Sequence, residues 1–263
     1  MRYRLIAWVL MFLKYLSRTF WRVETHWVGE VPSELWRPYR VVAILNHTSL
    51  YEWLFAGVVP NRFLRHMARH GVVPIADKTL KRPLAGRFWR LIAGNVVSIT
   101  RERDHTWRQV IEAVDEDAMV IILPEGRMKR EGGLDKNGRA MTVRSGIGDL
   151  LLGIEEGRLL VAYSQGLHNI QVPEGSFFPK LGQPVRMRLE EIDIASYRAK
   201  LGADEVARGE REEASFKRRL VRDLTARRDR YCTSDLGGTD EPEAWAWVRG
   251  RDAVKPEGSA GPS

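Results

Sequence analysis

His47 and Glu52 are spaced for proton transfer in this 263-residue chain. The histidine follows the apolar run Val41-Val42-Ala43-Ile44-Leu45 and one asparagine, Asn46, so it sits where a buried strand ends. An imidazole changes charge near neutral pH, and a carboxylate five residues later can fix its tautomer, as a general base requires. Two more strand-like runs end in charged residues. Val96–Thr100 leads to Arg101, and Met119–Leu123 leads to Pro124-Glu125-Gly126-Arg127. In open α/β sheets ligands bind beyond the carboxyl ends of the strands, so three parallel strands would bring these groups to one crevice. Each group also has a plainer reading. Ser49-Leu50-Tyr51-Glu52 matches a helix capping box, Arg101 a solvated strand-end charge, and Glu125-Gly126 an ordinary turn.

The elements that would position these groups alternate along the chain. Strands are expected at Val41–Leu45, Val96–Thr100, Met119–Leu123, Leu159–Tyr163 and Val185–Leu189, with helices at Leu50–Val58, Thr106–Val114 and Ile147–Glu155. Residues 62–95 read as largely helical, broken near Gly71, Pro74 and Pro83; residues 131–142 read as a loop, and residues 204–230 as one long charged helix in which residues 211–230 read as a solvated face. Gly146-Ile147-Gly148 reads as helix entry. This pattern implies an α/β fold with a mainly parallel or mixed central sheet flanked by helices.

Composition narrows the partners. The net charge of +8 divides into −3 for residues 233–263, which hold six acids and three bases, and +11 for residues 1–232. Such a body favours phosphorylated small molecules, an anionic membrane face or nucleic acid, although no nucleic-acid-binding motif is present. The lone Cys232 excludes an intrachain disulfide framework, and the histidines outside position 47 show no metal-ligand spacing. At the N-terminus, Leu5–Leu13 is an unbroken apolar run flanked by Arg2, Arg4, Lys14, Arg18 and Arg22. It is shorter than the ~20 residues of a bilayer span and has no small-residue cleavage site after it. With Trp8, Tyr15, Trp21 and Trp27 around it, residues 1–28 are expected to form a membrane-interfacial helical segment; a core helix packed on the domain is the alternative.

Taken together, Asn46-His47 with Glu52, Gly94 through Arg101, Leu123-Pro124-Glu125-Gly126-Arg127 and the Val161–Pro179 stretch resemble the four motif blocks of the glycerolipid acyltransferase family, in order and spacing. The resemblance covers roughly residues 40–190. It implies an acyltransferase domain at residues 29–232, between the N-terminal segment and a disordered tail at residues 233–263. It also implies transfer of a fatty acyl group from acyl-CoA or acyl carrier protein to 1-acylglycerol 3-phosphate, forming phosphatidic acid. His47 and Glu52 would be the catalytic pair, and Arg101, Glu125, Gly126 and Arg127 would bind or order the acceptor. No cofactor or metal is implied, and the expected location is the cytoplasmic face of a membrane, the inner one in a bacterium. Glutamate stands at position 52 where the family usually has aspartate, and Arg127-Met128 stands where threonine-arginine is usual. Another lysophospholipid or glycerol 3-phosphate as acceptor, and a non-catalytic membrane protein of the same fold, are the alternatives.

Overall fold

The computed structural model describes residues 1–34, 36, 38–100, 105–130, 133–171, 178–232 and 248–249. Helix α1, Arg2–Phe20, is apolar on two sides for different reasons. Ile6, Ala7, Leu10, Leu13 and Ser17 recur at helical spacing and pack into the protein, whereas Leu5, Trp8, Phe12 and Tyr15 stay exposed on the other face. The helical segment expected to reach residue 28 instead changes at Arg22 into strand β1, Arg22–Trp27. Val23 and Thr25 are buried there, and β1 pairs parallel with strand β7, Pro184–Asp193.

The parallel part of the sheet comes from β2 (Val41–Leu45), β3 (Gly71–Ala76), β4 (Asn95–Ile99), β5 (Met119–Ile122) and β6 (Arg158–Gln165). With a two-residue β8 at Val248–Arg249, the sheet order is β4-β3-β5-β2-β6-β7-β1-β8. The five strands from β4 to β6 are mutually parallel, β7 runs antiparallel to β6, and β8 runs antiparallel to β1. The rest of residues 233–263, expected to be disordered, lies outside the described residues.

The central strands are apolar throughout because both faces are covered. Val42, Leu160 and Ala162 pack under α1 and α2 (Asn61–His70), together with the 3-10 helix Glu52–Gly57. The alternate residues Val41, Ala43, Leu45, Leu159 and Val161 pack against α6 (Gly146–Gly153) and α9 (Glu210–Tyr231) on the other face. The remaining helices, α3 (Asp77–Leu80), α4 (Pro83–Ile92), α5 (His105–Glu112), α7 (Leu167–Ile170) and α8 (Ile194–Lys200), lie in the connections.

Two expectations are corrected in this region. Residues 71–76 are strand, not part of a helical stretch, because Val72, Val73 and Ile75 form a short buried β-branched run. Pro74 lies past the last β3–β5 pair, Val72 with Val120, and stands opposite Val97 of the edge strand β4. The single helix expected over residues 204–230 is a 3-10 helix, Ala203–Arg208, followed by α9 after Gly209.

Helix α9 is charged yet deeply packed. Phe216, Leu220, Leu224 and Arg228 recur every four residues, and all four are buried. Lys217 is buried beside them and pairs with both Asp149 and Glu213. Gly148 explains how closely α6 and α9 approach, since a Cβ at that position would sit 2.8 Å from Cγ of Lys217. Truncation of this stripe is therefore costly. Leu220→Ala should lower unfolding stability by about 2–5 kcal/mol in urea denaturation. The exposed Arg222→Ala should change it by no more than about 0.5 kcal/mol, and equal small effects would show that α9 is not a core helix.

Candidate active site

The exits of β2 and β5 are neighbours, because these strands pair directly and in parallel. Asn46, the first residue past β2, is fully buried with φ +68°, a left-handed conformation that asparagine tolerates better than most residues. The turn aims two consecutive N–H groups at one carboxylate. The amides of Asn46 and His47 donate to Glu125 Oε1 and Oε2 at 3.3 and 2.8 Å. Arg228, arriving from α9, donates from Nη1 to Glu125 Oε1 at 2.8 Å. The side chain of Asn46 ties in a third strand, donating from Nδ2 to the carbonyl of Ser164 at the end of β6, at 2.8 Å.

His47 is held from the other side as well. The amide of Lys129 donates to the His47 carbonyl at 2.7 Å, and Lys129 Nζ lies 3.2 Å from Asn46 Oδ1. The imidazole reaches Glu52 through its Nδ1. With Nδ1 donating to the carboxylate, Nε2 remains as the acceptor that a general base needs. Burial alone would lower the pKa of this ring. The charge and hydrogen bond of Glu52, with the charge of Glu125, outweigh burial and raise it.

Glu52 does not serve as the back-bonding acid of a capping box. It opens the 3-10 helix, Tyr51 is the residue before that helix, and Ser49 Oγ accepts the Tyr51 amide at 3.3 Å. Ser49 also reaches Gln171 Oε1 at 3.2 Å.

Glu125 and Gly126 form more than a connection. Gly126 adopts φ +63°, a conformation open to glycine at little cost, and its amide bonds the carbonyl of Leu123 at 3.0 Å. Arg127 then pairs with Asp135, which is almost fully buried. The backbone N–H of Arg139 and then the Arg127 guanidinium hold the Asp135 carboxyl at about 2, against the opposing effect of burial. One of the guanidinium's five donors is thereby used to orient the rest. Arg101 lies outside the described residues; its strand, β4, is separated from β2 by β3 and β5.

Three participants carried no assigned role in the sequence reading: Asn46, Asp135 and Arg228. Residues 211–230 read as a solvated helix face, and Arg228 corrects that reading. Its place at the end of the Phe216-Leu220-Leu224 row is the signal that would have found it.

Beside Glu52, an apolar cavity of about 120 Å³ lies between the sheet and the helices α1, α2 and α4. Leu10, Trp53, Phe63, Trp89 and Leu160 line it, and Glu52 borders it. Among the described residues, no group of three or more His, Cys, Asp or Glu could hold a metal ion.

Two comparisons with known proteins give a match. The family model described as Acyltransferase matches residues 31–158, which contain the first three motif blocks. The crystal structure of the 1-acyl-sn-glycerophosphate (LPA) acyltransferase, PlsC, from Thermotoga maritima is similar in fold. It is 15% identical, with a TM-score of 0.50, over 84% of this chain and 81% of that one. No curated protein matches this chain.

The electrostatics of the His47–Glu52 pair are directly measurable. Glu52→Gln removes the charge that raises the imidazole pKa, so burial then dominates and the midpoint should move down. NMR titration of the His47 ring checks this, and an unchanged midpoint would remove Glu52 as its partner.

Proposed function

We propose, with the match of residues 31–158 to the acyltransferase family model in support, that this chain esterifies a lysophospholipid, 1-acylglycerol 3-phosphate, from an acyl thioester to give phosphatidic acid. The observation that carries the reading is the His47–Glu52 contact beside an apolar cavity that Glu52 itself borders. A proton-abstracting group and a site for a hydrocarbon chain are thus adjacent. Nε2 of His47 takes the proton from the acceptor's free hydroxyl as its oxygen attacks the thioester carbonyl. Glu52 keeps Nδ1 protonated and stabilises the imidazolium. Collapse of the tetrahedral intermediate breaks the carbon–sulfur bond, and the imidazolium returns its proton to the departing thiolate of CoA or acyl carrier protein. The acyl group passes directly from sulfur to oxygen, and the buried Cys232 takes no part.

The acceptor's phosphate is assigned to Arg127, with its fork oriented by Asp135, and to Arg101. Glu125 and Gly126 order the turn that presents Arg127. The exposed apolar face of α1 supports membrane association, with Trp8 71% and Phe12 64% exposed between flanking arginines. Among the described residues no helix is long and apolar enough to cross a membrane, so the helix is assigned to the interface.

Purified protein given lysophosphatidic acid and a labelled acyl-CoA should form phosphatidic acid. His47→Ala should reduce turnover by about 10²- to 10⁴-fold; full turnover in that variant would exclude His47 as the base. Sedimentation with anionic vesicles tests the interface separately. The double variant Trp8→Glu/Phe12→Glu changes only exposed positions and should release the protein from the lipid, whereas undiminished binding would place the contact elsewhere.

A further inference from the structure

We propose that Arg228, on the C-terminal helix α9, is a positioning residue for the proposed base His47 and acts through Glu125. It lies outside the 31–158 segment that matches the family. Glu125 is 1% exposed, and an ionised carboxylate at that depth needs both charge balance and hydrogen-bond donors. Among the described residues its hydrogen-bond partners are the amides of Asn46 and His47 and the Arg228 guanidinium, and of these only Arg228 carries charge. Without that guanidinium the buried carboxylate would be left with the two amides and no compensating charge at hydrogen-bond distance. Its place opposite the two amides would then no longer be fixed from the α9 side.

The consequence falls on a strained element. Asn46 sits at φ +68°, which a non-glycine residue keeps only when its surroundings hold it there. The two amides on Glu125 hold the backbone of this turn, beside the Asn46 side chain on the Ser164 carbonyl, and the imidazole projects from the second of the same two residues. Arg228 is itself fixed. Phe216, Leu220 and Leu224 lock the same row of α9 into the core, and the Asp229 carboxylate receives Nε and Nη2 of Arg228 at 2.9 and 2.7 Å. The adjacent Arg227 joins Glu190 on β7 to Asp223, which anchors that turn of the helix to the sheet. The path from α9 to the ring therefore has two links: guanidinium to carboxylate, and carboxylate to the backbone of residues 46 and 47.

Arg228→Met, Arg228→Lys and the double variant Glu125→Gln/Arg228→Met provide the test, with two readouts. The first is hydrogen exchange of the Asn46 and His47 amides in the protein alone. Arg228→Met should accelerate it by roughly tenfold or more while β6 amides keep their protection. The second rests on the acyltransferase reading. The turnover number with lysophosphatidic acid should fall by roughly tenfold or more in Arg228→Met, with the acceptor KM within about twofold of wild type. Arg228→Lys, which restores the charge, should recover part of both. The double variant has no unpaired buried charge, so it should fold even if Arg228→Met does not, and it should keep the fast exchange and low turnover. Unchanged exchange at the two amides would overturn the proposal whatever the kinetics, as would wild-type turnover in the double variant. A wild-type protein that forms no phosphatidic acid would overturn the function reading, while the exchange measurement still decides the role of Arg228.

Discussion

The Glu125 carboxylate is the point on which the site depends. It is buried at the exit of β5, and its oxygens accept the two amides that follow β2 while Arg228 balances its charge. Removing a carboxylate and a guanidinium from water costs several kcal/mol per ion unless geometry and further hydrogen bonds offset it. Both conditions are present here. What the arrangement supplies is a fixed direction for the chain after β2, and therefore for the imidazole one residue later. The parallel β2–β5 pairing makes this possible, since only neighbouring strands of one direction bring both exits together.

A second set of contacts connects the exposed apolar helix to the chemistry. The buried face of α1 bonds to the short 3-10 helix that Glu52 opens. Ser17 Oγ donates to the Leu54 carbonyl, and Arg18 Nε donates to the Gly57 carbonyl, both at 2.7 Å. Lys14 is drawn in as well, its Nζ on Asn61 Oδ1 at 2.8 Å. Burial, then the charge of Arg18, push its pKa down to about 8. The acid of the His47 pair thus sits on an element that α1 braces. The same helix walls the apolar cavity with Leu10 and Leu13.

The opposite face of the sheet is braced by α9. Tyr163 donates to Glu190, Arg227 pairs with Glu190 and Asp223, and Tyr197 donates to Asp223. These ion pairs share burial and connectivity, unlike exposed pairs, which contribute little. They account for a helix that carries many charges and still packs as core.

The candidate site groups and the class of fold were readable along the chain. Apolar runs of strand length ending in His47 and Glu125 made both strand exits legible, because a fully covered parallel strand leaves no polar residue until it ends. Strand β3 escaped because six residues containing a proline and a glycine look like a broken helix; its β-branched run becomes a strand by pairing with β4 and β5. Whether Glu52 capped a helix or faced a histidine was likewise open along the chain, since both readings use the same spacing. Tertiary structure decided it, by bringing β2 and the 3-10 helix together so that the carboxylate meets the ring. It also decided that Arg127 pairs with Asp135 and that Arg228, 103 positions from Glu125, completes the site. Local periodicity reports which face of an element is buried, but a contact between distant segments depends on how the sheet orders its strands, which no single segment encodes.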